Sequence, residues 1–139
     1  MAEMTKDEAY AFLDSRPGWM VLSTVGGEGY PHAVPLGYFR DGDAIYMTAR
    51  GQRRANILRA PKVSLLVESG QAMNELRGLV IEGDASIVDA PDEVLRLARA
   101  AASDRGEPSD RWPTEVRPGT SYIRVAPRRL RSWDNTKDA

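Results

Sequence analysis

The sequence predicts a mainly β protein of the α+β class, a small antiparallel β-barrel of six strands with a few short flanking helices. Six segments are rich in β-branched and aromatic residues or alternate apolar with polar residues, and only three short stretches have helical character. Short turn sequences join most of the strand segments, which favours antiparallel hairpins. The 139 residues contain no repeat and no long linker, so we expect one domain spanning residues 1–139.

The first element is a short helix within the segment "TKDEAYAFLDSR". Thr5 and Glu8 have the spacing of a capping box, in which each side chain accepts a hydrogen bond from the backbone N–H of the other residue. Ala9, Phe12 and Leu13 then form a narrow apolar stripe. This pattern predicts an amphipathic helix that begins directly after Thr5.

The next three elements are predicted to be strands. The segments "GWMVLSTV" (18–25) and "YPHAVPLGYF" (30–39) are rich in β-formers and flank the turn sequence "GGEG". "RDGD" predicts a hairpin, because Asp-Gly tolerates the positive φ angles of a tight turn. The third strand, "AIYMT" (44–48), therefore returns after this turn.

A short helix and two further strands are predicted in the middle of the chain. The helix continues through Asn56 and is stopped by Pro61. "KVSLLVE" (62–68) is the fourth strand, and "QAMNE" after it is a loop or turn. "LRGLVIEGDASIVD" (76–89) is a long fifth strand, because its apolar and polar side chains alternate.

The C-terminal third combines a helix, a loop and the sixth strand. The helix "APDEVLRLARAAAS" (90–103) has Asp89 as its expected N-cap and Pro91 in its first turn. Residues 104–119 are rich in loop-forming residues. "TSYIRVAPRRLRSW" (120–133) is the last strand, and Pro127 is the point at which it could break.

Positive charge is concentrated in "TARGQRR", where the second helix begins. Arg50, Arg53 and Arg54 lie at or just before its first turn, where peptide dipoles and unpaired amides already give partial positive charge. Arginines there are unfavourable unless an anion joins them, and the planar guanidinium suits phosphate oxygens. Thr48 could add a hydroxyl, and Gly51 allows close backbone approach. The cluster is therefore either a phosphate site or a solvated basic face.

The second strand has features of a ligand-binding sheet edge. Pro35 and Gly37 fall on one face, while His32, Val34 and Leu36 fall on the other. A proline within a strand belongs at an edge or a bulge, and a nearby glycine permits a flat group to approach. This edge, next to the arginine cluster, predicts a cradle for a ring with a phosphate tail.

Composition excludes several function classes. Lys+Arg 19 and Asp+Glu 20 nearly cancel, which argues against a dedicated nucleic-acid binder. With no cysteine and one histidine, we expect no metal site and no cysteine nucleophile. No apolar run approaches the ~20 residues of a membrane span, and no signal pattern opens the chain, so we expect a cytoplasmic protein.

Three segments carry a likeness to a known family: "PHAVPLGYFRDGDAIYMTARGQRRANILRAPKVSLLVE", "NELRGLVIEGDASIVD" and "RLRSWDNTK". They resemble the pyridoxamine 5'-phosphate oxidase-like split-barrel family and, within it, the flavin/deazaflavin oxidoreductases of actinobacteria. The most specific part is Arg53, three positions before Asn56 and ahead of "RAPKVSLLVE". The family often has lysine where Arg53 stands, so arginine keeps the charge and changes the geometry.

The resemblance implies a six-stranded split barrel that binds coenzyme F420, or alternatively FMN, in grooves at a homodimer interface. The "ELRG…IEG" pattern is more similar to the deazaflavin branch, and the C-terminal arginine-and-histidine motif of the true oxidase is missing. The binding residues implied are Thr48, Arg50, Arg53 and Asn56 for the phosphate, Val34, Pro35 and Leu36 for the ring, and Trp133 reaching the partner subunit's site.

The activity implied by the resemblance is hydride transfer from reduced F420 to a conjugated small molecule. The coenzyme carries the chemistry while the protein orients it and excludes water, so no catalytic residue is assigned. His32 is either a proton donor or a packed histidine. Three other functions stay open: a coenzyme carrier without a substrate pocket, a barrel that binds RNA or single-stranded DNA, and a haem-degrading split barrel.

Overall fold

The computed structural model describes residues 2–138, which form one antiparallel sheet and three α-helices. Short 3₁₀ turns lie at Met73–Glu75, Ser109–Arg111 and Asn135–Asp138. The helices are α1 (Lys6–Asp14), α2 (Gly51–Arg59) and α3 (Pro91–Asp104). The strands are β1 (Met20–Val25), β2 (Pro31–Leu36), β3 (Phe39–Asp41), β4 (Ala44–Thr48), β5 (Lys62–Ser69), β6 (Arg77–Val88) and β7 (Tyr122–Asp134).

The seven strands lie in the order β2-β1-β5-β6-β7-β4-β3, and the sheet curls into a half-barrel. The predicted mainly β, antiparallel barrel class is confirmed, whereas the predicted number of six strands is wrong. The run 30–39 forms two strands, because β2 pairs with β1 while β3 pairs with β4. Tyr38 in the link is buried, and its hydroxyl donates to the Leu13 carbonyl at 2.6 Å.

The link between β2 and β3 explains the curl of the sheet. Leu36 and Phe39 belong to strands at opposite margins of the sheet order. Three trans peptide steps span at most about 11 Å. The two margins must therefore approach each other, and the link from Gly37 to Tyr38 marks the place where they meet.

The structure confirms that β2 is an edge strand, as its internal proline predicts. Pro35 is exposed and lies opposite Val21 of β1, and β2 has no partner on its other side in the part of the chain described. Val34 and Leu36 are half-buried and pack against the main core. One face of β2 is therefore held by the core while the strand's outer backbone groups remain open.

The last strand is continuous through Pro127, so the predicted break is wrong. Gly83 pairs with Pro127 whereas Glu82 pairs with Arg129, which leaves Arg128 as an extra residue on β7. A β-bulge of this kind accommodates the missing N–H of proline without ending the strand. Strand β7 therefore continues past the bulge, and every residue of β6 has a partner on β7.

The three predicted helices are present. The capping box of α1 is present, because the backbone N–H of Glu8 bonds to Thr5 Oγ1 at 3.1 Å and that of Thr5 bonds to Glu8 Oε1 at 3.0 Å. The expected cap of α3 is wrong: Ala90 occupies the N-cap without a side-chain bond, and Asp89 lies one residue earlier. Pro91 begins α3 with φ preset, so the helix starts without a side-chain cap. No helix within residues 2–138 has the length and apolar character required to cross a membrane.

Candidate functional site

The N-terminus of α2 presents backbone donors that no side chain caps. Arg50 is the N-cap residue, its backbone is extended, and its side chain makes no capping bond. Gly51 follows with φ of 61°, a left-handed conformation that glycine adopts without strain. The first turn contains no acidic residue. The partial positive charge of this helix end is therefore not compensated by its own sequence.

Arg53 is folded back onto the end of β4. Its Nε donates to the Thr48 carbonyl at 2.9 Å, and its Nη2 donates to Thr48 Oγ1 at 3.1 Å. Burial lowers the pKa of Arg53, and the charge of Arg50 lowers it further. Two of the five guanidinium N–H groups are used by Thr48, so three remain for a ligand. The structure thus brings together Thr48, Arg50 and Arg53, as predicted.

These two arginines differ from most others in lacking an acidic partner. Among residues 2–138, no carboxylate lies within 4.0 Å of Arg50 or Arg53, although most arginines of the chain form such pairs. Arg54 lies 4.0 Å from Asp89, and Arg59 bonds to the Val25 carbonyl. Arg54 and Arg59 thus have partners within the protein. An anion would relieve repulsion at the other two arginines, Arg50 and Arg53.

Asn56 occupies a different position from its neighbours in the motif. It is 0% exposed, and its Nδ2 donates to Thr24 Oγ1 of β1 at 2.9 Å. Its Oδ1 accepts from Gln52 Nε2 at 2.6 Å. The side chain fastens α2 to the sheet below, which favours a role in positioning the helix over direct contact with a phosphate.

A cleft of about 280 Å³ lies between the end of β4 and the link that follows β2. Gly37 in the link after β2 and Thr48 at the end of β4 both line it. Its remaining wall includes the aromatic residues Tyr38, Phe39 and Tyr122. Of the predicted phosphate residues only Thr48 lines this cleft, and the predicted ring-binding strand ends one residue before Gly37. The volume of the cleft is near the lower limit for small-molecule sites.

Charged residues close the outer rim of this cleft. Arg16, in the loop after α1, forms an ion pair with Asp104 at the end of α3. Arg16 also donates to the Tyr38 carbonyl at 2.8 Å. On the inner wall, burial raises the pKa of Tyr122, so its phenol stays protonated at neutral pH and can donate a hydrogen bond to a ligand. No local sequence pattern predicts the Arg16–Asp104 ion pair or the place of Tyr122 in the cleft wall, because both depend on contacts between distant parts of the chain.

Trp133 lies far from the cluster along the same strand. Thr48 pairs with Tyr122, the first residue of β7, and Trp133 follows eleven positions later, or about 36 Å of extended strand. Its indole covers Gly78 of β6, where an added Cβ would come within 2.0 Å of Trp133 Cζ2. Within one protomer, Trp133 therefore lies outside the site formed around the arginines.

His32 is half-buried on β2, opposite Thr24 of β1. Its Nδ1 is buried and has no hydrogen-bond partner among residues 2–138. Trp19 is 72% exposed and Tyr30 is 77% exposed, and both flank the β1–β2 edge of the sheet. Trp19 lies next to Gly37, 3.9 Å from where a Cβ would stand. Trp19 thus leaves aromatic surface uncovered beside the cleft, whereas Tyr30 lies at the other end of the β1–β2 pair.

The sequence matches the pyridoxamine 5'-phosphate oxidase family over residues 5–134. A conserved hypothetical protein from Mycobacterium tuberculosis is 29% identical, with a TM-score of 0.83 over 96% of this chain and 87% of that one. An F420 reductase from Mycobacterium smegmatis is 25% identical, with a TM-score of 0.66 over 88% and 96%. A FAD-binding protein from Mesorhizobium loti, 17% identical, shares the fold with a TM-score of 0.70 over 94% and 93%. Among curated proteins, none matches this sequence.

Proposed function

The chain belongs to the pyridoxamine 5'-phosphate oxidase family, and from this premise we propose that it is an F420-dependent oxidoreductase that reduces a conjugated small molecule. The observation that carries the proposal is the pair Arg50 and Arg53, two guanidinium groups at an uncapped helix N-terminus without a carboxylate within 4.0 Å in residues 2–138. Guanidinium groups at such a position match the charge and geometry of a phosphoryl group. The likeness to an F420 reductase supports the choice of coenzyme.

The proposed phosphate ligands are Arg50, Arg53 and Thr48, together with the first amides of α2. Thr48 holds Arg53 through two hydrogen bonds, so the guanidinium is oriented before a ligand arrives. This orientation reduces the entropy lost on binding. Asn56 contributes by holding α2 against β1, which fixes the position of the amides.

The ring of the coenzyme would lie along Val34, Pro35 and Leu36 towards the cleft at Gly37. When bound, a reduced deazaflavin supplies a hydride. The protein's own groups would position the substrate: the aromatic wall of the cleft offers a flat apolar surface, and Tyr122 offers a protonated phenol. Burial of the reacting groups in this cleft would exclude water.

We further propose that the site is completed by a second copy of the chain. The cleft of about 280 Å³ is too small to enclose a coenzyme and a substrate together. Edge strand β2 and the exposed aromatics Trp19 and Tyr30 offer a surface for a partner. In a dimer, Trp133 of one protomer would lie near the arginine cluster of the other. Light scattering should give the mass of a dimer, and a monomer that still binds coenzyme would refute this arrangement.

The proposal is tested by titrating the purified protein separately with F420 and FMN while following coenzyme fluorescence. Tighter binding of F420 is expected, and tighter binding of FMN would favour the alternative of an FMN-dependent oxidoreductase. Stopped-flow oxidation of reduced F420 should then be measured against a panel of enones, quinones and tetrapyrroles. Turnover supports the enzyme, whereas binding without turnover across the panel would favour a coenzyme carrier. Failure to bind either coenzyme would refute the proposed function.

A further inference from the structure

The turn before β7 forms one wall of a second pocket, on the other side of Thr48 from the cleft. This pocket has a volume of about 190 Å³. Arg50 lines it from the α2 side, and residues 117–121 line it from the opposite side. We propose that this turn is part of the phosphate site and that Arg117 is a further binding residue for the phosphoryl group of the coenzyme. The inference rests on the proposed function and extends it to a segment outside the arginine motif.

The turn is held in place relative to Arg50. The N–H of Ala49, the residue before Arg50, donates to the Ser121 carbonyl at 3.0 Å, and Ser121 Oγ donates back to the Ala49 carbonyl at 3.3 Å. The turn itself closes through a bond from the Thr120 N–H to the Arg117 carbonyl at 3.1 Å. Gly119 has φ of 84°, which this turn requires. The two walls are therefore built as one unit before any ligand binds.

The charges on the two walls are uncompensated. Within residues 2–138, neither the Arg50 nor the Arg117 side chain makes an ion pair within 4.0 Å or a hydrogen bond. Glu115, two positions before Arg117, is not within that distance of it. Two cations on opposite walls of one small pocket repel each other, and a phosphoryl group between them would remove that repulsion. Arg53 is held at Thr48 by two hydrogen bonds, so it would contact the same ligand from the α2 side.

The pocket also explains why Thr48 has a central place in the site. The Thr48 hydroxyl accepts a hydrogen bond from Arg53, and Thr48 lines both the cleft and this pocket. Its backbone pairs with Tyr122 at the end of the turn. The phosphoryl group would thus be bound between α2 and the turn, with the ring directed towards the cleft. Because Arg50 and Arg117 are far apart in the sequence, no local motif could predict that they line the same pocket.

The test compares Arg117→Ala with Arg111→Ala, an exposed arginine whose side chain likewise makes no ion pair or hydrogen bond in the described residues and lines neither the cleft nor this pocket. FMN, F420 and riboflavin are titrated by fluorescence. We expect Arg117→Ala to weaken FMN and F420 at least about tenfold, as for a charge-assisted hydrogen bond. Riboflavin lacks the phosphate, so its affinity should be unchanged. Arg111→Ala should behave as wild type with every ligand.

The outcomes separate this inference from the proposed function. Wild-type protein that binds neither FMN nor F420 refutes both. Wild-type binding together with unchanged affinity in Arg117→Ala overturns only the role of the turn. A loss confined to F420 would assign Arg117 to another anionic part of that coenzyme and overturn the phosphate assignment, as would an equal loss for riboflavin.

Hydrogen exchange gives a second readout that does not depend on a variant. Binding of FMN should slow exchange of the amides at Gly119, Thr120 and Ser121, because the turn becomes one wall of an occupied site. Riboflavin at equal saturation should leave those amides near their free rates. Equal protection by both ligands, or none by FMN, would contradict a phosphate contact at the turn.

Discussion

Replacing Arg53 with alanine removes a half-buried guanidinium from the first turn of α2. In the free protein this side chain bonds only to Thr48, at 2.9 and 3.1 Å. Burial and the neighbouring Arg50 lower the pKa of Arg53, which means that the cation is held in an unfavourable environment. The loss of two partly exposed hydrogen bonds is thus offset by the removal of that charge. We expect the free energy of unfolding to change by less than about 1 kcal/mol.

Coenzyme binding should respond much more strongly to the same change. A charge-assisted hydrogen bond contributes about 1.5–3 kcal/mol, which corresponds to a loss of about 10- to 150-fold in affinity for FMN or F420. Arg53→Lys should lose less, because it keeps the charge without the planar fork. The measurement is a fluorescence titration of each variant, with urea unfolding as the check on stability.

Riboflavin provides the control for the Arg53 variant. Because it has the ring of FMN but no phosphate, its affinity should be unchanged within about twofold. The reasoning would be refuted by Arg53→Ala protein that binds FMN as tightly as wild type. It would also be refuted by an equal loss for riboflavin, since the effect would then arise from the ring site or from the fold.

Three further predictions concern the supports of the site and the fold. Asn56→Ala should lower the free energy of unfolding in urea by about 1–3 kcal/mol, because Thr24 Oγ1 loses its buried partner; full stability would contradict its positioning role. Gly78→Ala should cost about 1–3 kcal/mol and lower the melting temperature, because the new Cβ collides with Trp133; an unchanged melting temperature would show that the indole moves freely. The hydrogen bond from the Thr5 backbone N–H is the largest cause that lowers the pKa of Glu8, to about 2. The stabilisation of the folded protein by the Glu8 carboxylate is therefore present above the unfolded pKa of about 4.5 and is lost as pH falls towards 2. Melting temperatures of Glu8→Gln should be lower than those of wild type at pH 6 and should converge with them near pH 2; parallel profiles would contradict this.

Local sequence rules predicted the parts of the fold that depend on neighbouring residues. The capping box of Thr5 and Glu8 needs only four consecutive residues, and it is present. Pro35 placed β2 at an edge, because a proline inside a central strand would leave a neighbour's carbonyl unpaired. The alternation in β6 also holds, with Leu79 and Ile81 buried and Glu82 exposed.

The errors arose where distant contacts decide the structure. Residues 30–39 contain a continuous run of β-formers, but Tyr38 is drawn into the core by Leu13 and Arg16, so the run divides into two strands. Pro127 ends no strand, because Gly83 on β6 accommodates a bulge opposite it. Asp89 has the composition of a cap, yet the helix begins one residue later.

The candidate site shows the same division between local and distant information. Thr48, Arg50 and Arg53 are close in sequence, so their convergence follows from one turn of chain. The cleft wall at Tyr122 and the turn at Arg117 reach Thr48 only through the pairing of β4 with β7. No pattern within a short segment encodes that pairing. The sequence therefore predicted one side of the proposed phosphate site, and the structure added the proposed other side.

A crystal structure of the protein with bound F420 or FMN would locate the coenzyme. We expect the phosphoryl oxygens to lie within hydrogen-bond distance of Arg50 and Arg53, with the ring extending along β2 to the cleft at Gly37. A coenzyme that binds elsewhere while both guanidinium groups face solvent would contradict the proposed phosphate site.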